Sequence, residues 1–275
     1  MREPVRHENY QHDEAFTREG MSRRTAQSTA RFLLPFLEPG KRLIDCGCGQ
    51  GSVTVDFAEI VTPGEAVGFD LRETDLESAR ARAAERGVTN VVFQNASIYE
   101  IPFPDASFDV AFAHQVLHHL GDPLAALKEM RRILKPGGVA GVADHAWDVV
   151  IRAPINPTLE AWDALRIRVI EAIGGTPTFS RNQRAAMREA GFSRTDGHVM
   201  LAGRSEVQTG GRQGSGMGGM NPNLLYLRSV AKSIVLERGW ATQSELDAME
   251  QALDEDPGNH ESFFLLPVCW AVGWA

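Results

Sequence analysis

The segment Asp45-Cys46-Gly47-Cys48-Gly49-Gln50-Gly51 constrains this chain more than any other. It follows a short apolar run, Lys41 to Cys46, and precedes Val53 to Ile60, whose spacing predicts a helix. Glycines between a strand and a helix let the backbone approach a bound nucleotide closely and adopt φ angles that other residues resist. A nicotinamide dinucleotide expects G-x-G-x-x-G, with its pyrophosphate on the helix N-terminus. Here the spacing is G-x-G-x-G and position 52 is Ser, so the third dinucleotide glycine is absent. Asp45, at the head of the loop, is awkward beside a pyrophosphate and suits a cationic amino-acid moiety. Asp70 ends the next apolar run, where an α/β sheet presents a carboxylate to ribose hydroxyls.

The rest of the chain supplies the frame for such a loop. Apolar runs at 66–69, 91–93, 108–113 and 139–143 read as further strands, and 75–87 and 123–134 as the helices between them. Leu124, Leu127, Met130, Ile133 and Leu134 put one apolar face on the second of these helices, which Lys135-Pro136-Gly137-Gly138 stops. Strands alternating with helices imply βαβ units and a mostly parallel sheet covered on both faces, a doubly wound α/β fold. Apolar clustering from Ala26 to Phe36 predicts a helix ahead of the Glu38-Pro39-Gly40 breaker. Beyond 150, helices are expected at 155–173, 180–190, 222–238 and 242–253, and strands at 194–203 and 262–275. The Gly-rich stretch Thr209 to Met220 reads as a surface loop. The expected organisation is an N-terminal helical cap (1–37), a cofactor-binding core (38–150), and a remainder (151–275) that completes the sheet and carries inserted helices as a substrate cover.

Composition removes several function classes. A net charge of −8 gives no electrostatic reason to dock on nucleic acid. Three cysteines make a disulfide framework unexpected, and the polar first twenty residues contain no signal-peptide run, so a cytoplasmic protein is expected. The longest apolar run, Phe263 to Ala275 with Pro267 inside it, is too short for a membrane span.

Taken with Ile101-Pro102-Phe103-Pro104-Asp105-Ala106-Ser107-Phe108-Asp109, Leu117-His118-His119 and Leu134-Lys135-Pro136-Gly137-Gly138, the loop and Asp70 resemble a class I S-adenosylmethionine-dependent methyltransferase of the ubiquinone/menaquinone-biosynthesis type. The match in order and spacing runs over roughly 40–145. It implies the seven-stranded Rossmann-like fold of that class, S-adenosyl-L-methionine as cofactor and a small, fairly hydrophobic methyl acceptor, and it leaves room for a homodimer. The resemblance places Asp45, Gly47, Cys48 and Gly49 at the methionine portion, Asp70 on the ribose, and Leu71 and Arg72 near the adenine. Ser97 stands where many relatives carry an acidic residue for the adenine amino group, and its hydroxyl can accept without the charge. Ile98 is expected over the purine, Ala113, His114 and Gln115 beside the sulfonium, and Arg24, on the N-terminal helix, at the methionine carboxylate. A protein of this fold that catalyses another reaction, or binds the cofactor without turnover, remains an alternative.

Methyl transfer from a sulfonium needs alignment first, and a base only when the acceptor must lose a proton. His114 and His145, at the carboxyl ends of adjacent strands, are the expected candidates, with His114 preferred. Asp144 and His145 are neighbours on one strand and point to opposite faces, which argues against a direct pair. His118 and His119 read as packing or capping residues. His114 and His118 share i,i+4 spacing without an evident third ligand, so no metal is expected.

Overall fold

The computed structural model describes residues 22–204, 222–255 and 263–275. The Gly-rich stretch from Thr209 to Met220 lies outside the described residues. Among the described residues, eight strands form one sheet: β1 (Arg42–Cys46), β2 (Glu65–Asp70), β3 (Val91–Asn95), β4 (Phe108–His114), β5 (Leu134–His145), β6 (Ile151–Ala153), β7 (Arg194–Arg204) and β8 (Phe263–Trp274). The order β3-β2-β1-β4-β5 is parallel throughout, and β8 runs antiparallel beside β5. Phe264 pairs with Arg152 of β6 and with Arg204 of β7, so these two strands lie on opposite edges of β8. Three-residue β6 therefore continues the line of β5, and the sheet has the seven lateral positions expected of it. The helices are α1 (Ala26–Thr29), α2 (Ser52–Val61), α3 (Glu73–Glu85), α4 (Pro123–Ile133), α5 (Pro157–Ala172), α6 (Phe179–Glu189), α7 (Pro222–Tyr226), α8 (Lys232–Glu237) and α9 (Gln243–Glu255). A π turn, Leu227–Ala231, joins α7 to α8.

Two apolar layers hold the sheet. On one face Phe57 and Val61 of α2 and Leu33 pack on Leu43, Val110 and Phe112. On the other, Leu127 and Met130 of α4 and Met187 of α6 pack on Ile44, Ala111, Ala140 and Val142. The expected N-terminal helix is shorter than its apolar pattern suggests. It covers only Ala26–Thr29, capped by Thr25, and a 3₁₀ turn follows at Leu34–Phe36. Pro35 removes a donor there and blocks an α continuation. Ala30 and Leu33 are nevertheless fully buried, so the pattern reported burial correctly and the conformation wrongly. Arg24 accordingly precedes the helix on which it was expected.

The second correction lies at β5. Its strand begins at Leu134, opposite Phe108, and passes through the sequence expected to act only as a helix stop. Pairing shifts register between Phe108 and Val110, and Gly137 takes φ +78° while donating to the Ala275 carbonyl at 3.1 Å. A bulge of this kind lets a strand carry Pro136 without losing a ladder bond.

Helices α5 and α7 to α9 have a core of their own. Trp162, Leu165 and Val169 of α5 meet Leu224, Leu227, Val235, Leu246 and Leu253. α5 starts just beyond the carboxyl end of β5, with Asn156 capping it by accepting from Thr158 and Leu159 amides. The helical cluster is thus anchored beside the end of the sheet where parallel α/β folds bind ligands.

Candidate active site

The carboxyl ends of β1, β2, β4 and β5 meet at one place because the parallel register brings them level. The glycine loop leaves β1 there. Gly47, Gly49 and Gly51 all have positive φ, at +78°, +51° and +69°. A Cβ on Gly47 would strike Val116 Cγ2 at 2.5 Å, whereas a Cβ on Gly49 would meet nothing within 4 Å. Gly47 is therefore glycine for internal packing, while Gly49 lines open space. Asp70 fixes that opening: its Oδ2 accepts from the Gly49 amide at 2.9 Å and its Oδ1 from the Arg72 amide at 3.2 Å. Each carboxylate oxygen keeps acceptor capacity for another donor. Asn95 holds the turn after β2 through the Asp70 and Leu71 carbonyls, at 3.2 and 2.8 Å, and leaves the Leu71 side chain 60% exposed.

Asp45 lies below the loop, buried, with Thr54 Oγ1 donating to it at 2.6 Å. Burial raises its pKa to about 7 despite that hydrogen bond, and Asp70 adds to the rise. Such a carboxylate is suited to a cationic partner that restores its charge. The thiols of Cys46 and Cys48 are pushed up by burial and by Asp45, which makes them poor nucleophiles. Ser97 Oγ accepts from the Tyr99 amide at 3.2 Å, and Ile98 is buried among Ile44 and Ile101. Ala113 is fully buried, so it offers the site its backbone alone.

Gln115, directly after β4, has φ +58°, a region that residues with a Cβ enter at a cost. Its amide donates to the Ala143 carbonyl at 2.8 Å, while its buried side-chain Nε2 has no hydrogen-bond partner among the described residues. The chain then turns through Val116, which packs on Gly47, into a 3₁₀ turn at Leu117–His119. Four histidines gather here. His114 and His145 lie on the α2 face of the sheet, His114 parallel to Phe112 with ring centroids 6.2 Å apart. Burial lowers both pKa values well below the usual imidazole range, with the charge of Arg24 acting the same way on each. Arg24 thus lies within electrostatic reach of both. Neither histidine has a carboxylate partner among the hydrogen bonds of the described residues.

His118 does. Its Nδ1 lies 2.6 Å from Asp144 Oδ1, both side chains are wholly buried, and Gln183 Nε2 of α6 donates to Asp144 Oδ2 at 3.0 Å. A carboxylate can only accept, so Nδ1 carries a proton, and in the neutral ring Nε2 presents a lone pair. That Nε2 is buried and has no hydrogen-bond partner among the described residues. Asp144 does not pair with His145, as the strand alternation implied, and His118, expected as a packing or capping residue, is buried and in addition pairs with Asp144. The available signal was Asp144 itself, a charge that alternates in sequence with the core residues Ala140 and Val142 of the same strand.

An open glycine loop, an Asp70 carboxylate with spare acceptor capacity and a buried acid suited to a cation fit S-adenosylmethionine, and the fold and site are those of a methyltransferase that uses it. A family model described as a methyltransferase domain matches residues 37–174, and the chain belongs to that family. Among curated relatives, the probable methyltransferase ltbC of Aspergillus luteorubrus is 32% identical over 212 residues, covering 70% of this chain and 72% of that protein. The 27-O-demethylrifamycin SV methyltransferase of Amycolatopsis mediterranei is 35% identical over 188 residues, 68% of this chain and 65% of its own length. An uncharacterized methyltransferase of Schizosaccharomyces pombe is 38% identical over 121 residues, and the match spans 44% of its length. The solved structure of the YcgJ protein from Bacillus subtilis superposes with a TM-score of 0.56 over 89% of this chain and 96% of its own, at 23% identity.

Proposed function

We propose that the protein transfers a methyl group from S-adenosylmethionine to a hydroxyl oxygen of a small, fairly hydrophobic acceptor, with His118 as general base and Asp144 as its positioning residue. The observation that supports this reading is the buried Gln183–Asp144–His118 relay, which leaves one lone pair at the carboxyl end of the sheet. The cofactor's sulfonium, when bound, supplies an electrophilic methyl carbon and a neutral leaving group. Gly47, Cys48 and Gly49 would line the methionine portion, Asp45 would face its ammonium, and Asp70 would accept from the ribose hydroxyls. Leu71, Arg72, Ser97 and Ile98 border the adenine, and Arg24 is the candidate for the methionine carboxylate. Ala113 and Gln115 border the reacting carbon. His118 Nε2 would take the acceptor's hydroxyl proton as that oxygen receives the methyl group. The resulting imidazolium is stabilised by Asp144, which keeps the ring in the orientation that receives the proton. His114 and His145, held neutral, are assigned to shaping the acceptor side. Of the 27-O-demethylrifamycin SV methyltransferase, its name states an O-methylation, which accords with this acceptor atom.

The test is a methyl-transfer screen by mass spectrometry against phenols, quinols, aliphatic alcohols and amines. With the acceptor it identifies, His118→Ala should lower kcat about 10²–10⁴-fold with cofactor affinity spared, and His118→Gln should not rescue it. Asp144→Asn should lower kcat and displace the pH profile. Turnover of His118→Ala within tenfold of the parent, with an unchanged profile, would remove His118 from the mechanism. Exclusive turnover of amines would overturn the hydroxyl assignment.

A further inference from the structure

His118 stands on the 3₁₀ turn Leu117–His119, a backbone of only three residues. Within it the His119 amide donates to the Val116 carbonyl at 3.0 Å and the Leu120 amide to the Leu117 carbonyl at 3.1 Å. So short a turn has poor hydrogen-bond geometry, and its last carbonyls have no partner in the turn itself. The ring it carries nevertheless meets Asp144 Oδ1, on another strand, at 2.6 Å.

The missing donors come from the link between α5 and α6. The Thr176 amide donates to the His118 carbonyl at 2.8 Å, and Thr176 Oγ1 donates to the Leu120 carbonyl at 2.9 Å. Each end of this link is tied down. The Gly175 amide donates to the Ile170 carbonyl of α5 at 2.8 Å, and the amide of Phe179, which opens α6, donates to the Thr176 carbonyl at 3.0 Å. The approach at Gly175 is close: a Cβ there would lie 2.9 Å from the His118 carbonyl oxygen and 2.8 Å from Ile170 Cγ2. From the same start, α6 carries Gln183, whose Nε2 donates to Asp144 Oδ2 at 3.0 Å. One link therefore supports both halves of the relay, the turn under His118 and the helix that orients Asp144.

We infer that Thr176 is a positioning residue for His118: its two donors lock the backbone of the 3₁₀ turn, so that the imidazole stays on Asp144 and Nε2 keeps one direction. The inference rests on the reading of His118 as general base and adds a residue that acts through it. A group that must receive a proton along one line gains from a support whose own geometry is fixed by hydrogen bonds.

The test is solvent exchange of the His118 ring proton, read by NMR on protein labelled with nitrogen-15 histidine. A hydrogen bond this short to a carboxylate strongly deshields the Nδ1 proton, and His118→Asn assigns the resonance by removing it. Thr176→Val keeps the shape and loses the hydroxyl; it should make that proton exchange at least tenfold faster. Thr176→Ser should restore the parent rate, and the backbone amides of β1 should keep theirs in both variants. Should Thr176→Val fail to fold, Gly175→Ala, which presses on the His118 carbonyl, takes its place with the same expected acceleration. Acceleration below tenfold, no recovery in Thr176→Ser, or an equal acceleration across β1 would overturn the proposal. Absence of a deshielded ring proton in the parent would overturn it together with the base assignment. Because no turnover is measured, faster exchange in Thr176→Val alongside full turnover of His118→Ala would reject the base assignment alone.

Discussion

Asp45 shows how one carboxylate couples the glycine loop to its ligand. Its ordinary pKa is about 3.9, and in the fold it rises to about 7 because burial disfavours its charge. A raised folded value means that the unliganded protein is favoured when Asp45 is protonated. Its contribution therefore declines as pH climbs from about 4 to about 7 and is level above that. A bound ammonium reverses the preference, since an opposite charge favours the ionised form. S-adenosylmethionine binding should release a proton below pH 7, with affinity rising by up to about tenfold per pH unit there and flattening above about pH 8. Titration calorimetry in two buffers of different ionisation enthalpy measures both effects, and Asp45→Asn should abolish them. Burial lowers the pKa values of His114 and His145 well below the usual imidazole range, away from the Asp45 transition near pH 7. The placement of the glycine loop and of Asp70 was legible because it follows from local sequence, a loop between a strand and a helix and an acid closing the next strand. His118 was not legible, because its partner Asp144 lies 26 residues away. Only the pairing of β4 with β5 brings the two together.

At the scale of the element, the turn from β1 into α2 separates conformational from ligand-binding demands on glycine. A Cβ at Gly51 would lie 2.7 Å from Ala79 and 2.9 Å from the Phe93 ring, at φ +69°. Gly51→Ala should lower stability by about 2–4 kcal/mol, combining left-handed strain with overpacking. Gly49→Ala meets open space, so it should lower stability by about 1–2 kcal/mol, the strain alone. It should still weaken S-adenosylmethionine at least tenfold by filling the opening. Thermal unfolding and calorimetry, measured on both variants, distinguish the two; equal losses of affinity per degree of lost Tm would show that the loop has no dedicated opening. Elements with a clear period, such as α4, were read closely from the chain. The failures sat where periodicity and backbone chemistry disagree. Pro35 cut short an apolar pattern that looked helical, and the bulged pairing of β5 admitted Pro136 into a strand.

At the scale of the molecule, the helical cluster has a core distinct from the two layers on the sheet. Trp162 is fully buried in it, against the residues of α7 to α9. Trp162→Ala should cost about 3–5 kcal/mol of local stability. If the cluster is the acceptor cover, hydrogen exchange should rise across 157–172, acceptor KM should increase and cofactor affinity should stay within twofold. Loss of cofactor binding in parallel would show one cooperative unit instead. Strand β8 carries a different consequence, one for the biosynthesis of the chain. It comes after every other described element, yet it is the seam that pairs β5 on one edge and β7 on the other. Until residues 263–274 have left the ribosome, both strands present unpaired backbone along apolar edges, the arrangement most open to wrong partners. Their closure spans large sequence separations, which makes it slow. The nascent protein is therefore most exposed to aggregation just before its last strand arrives, and synthesis stalled in the preceding helices should give an insoluble product.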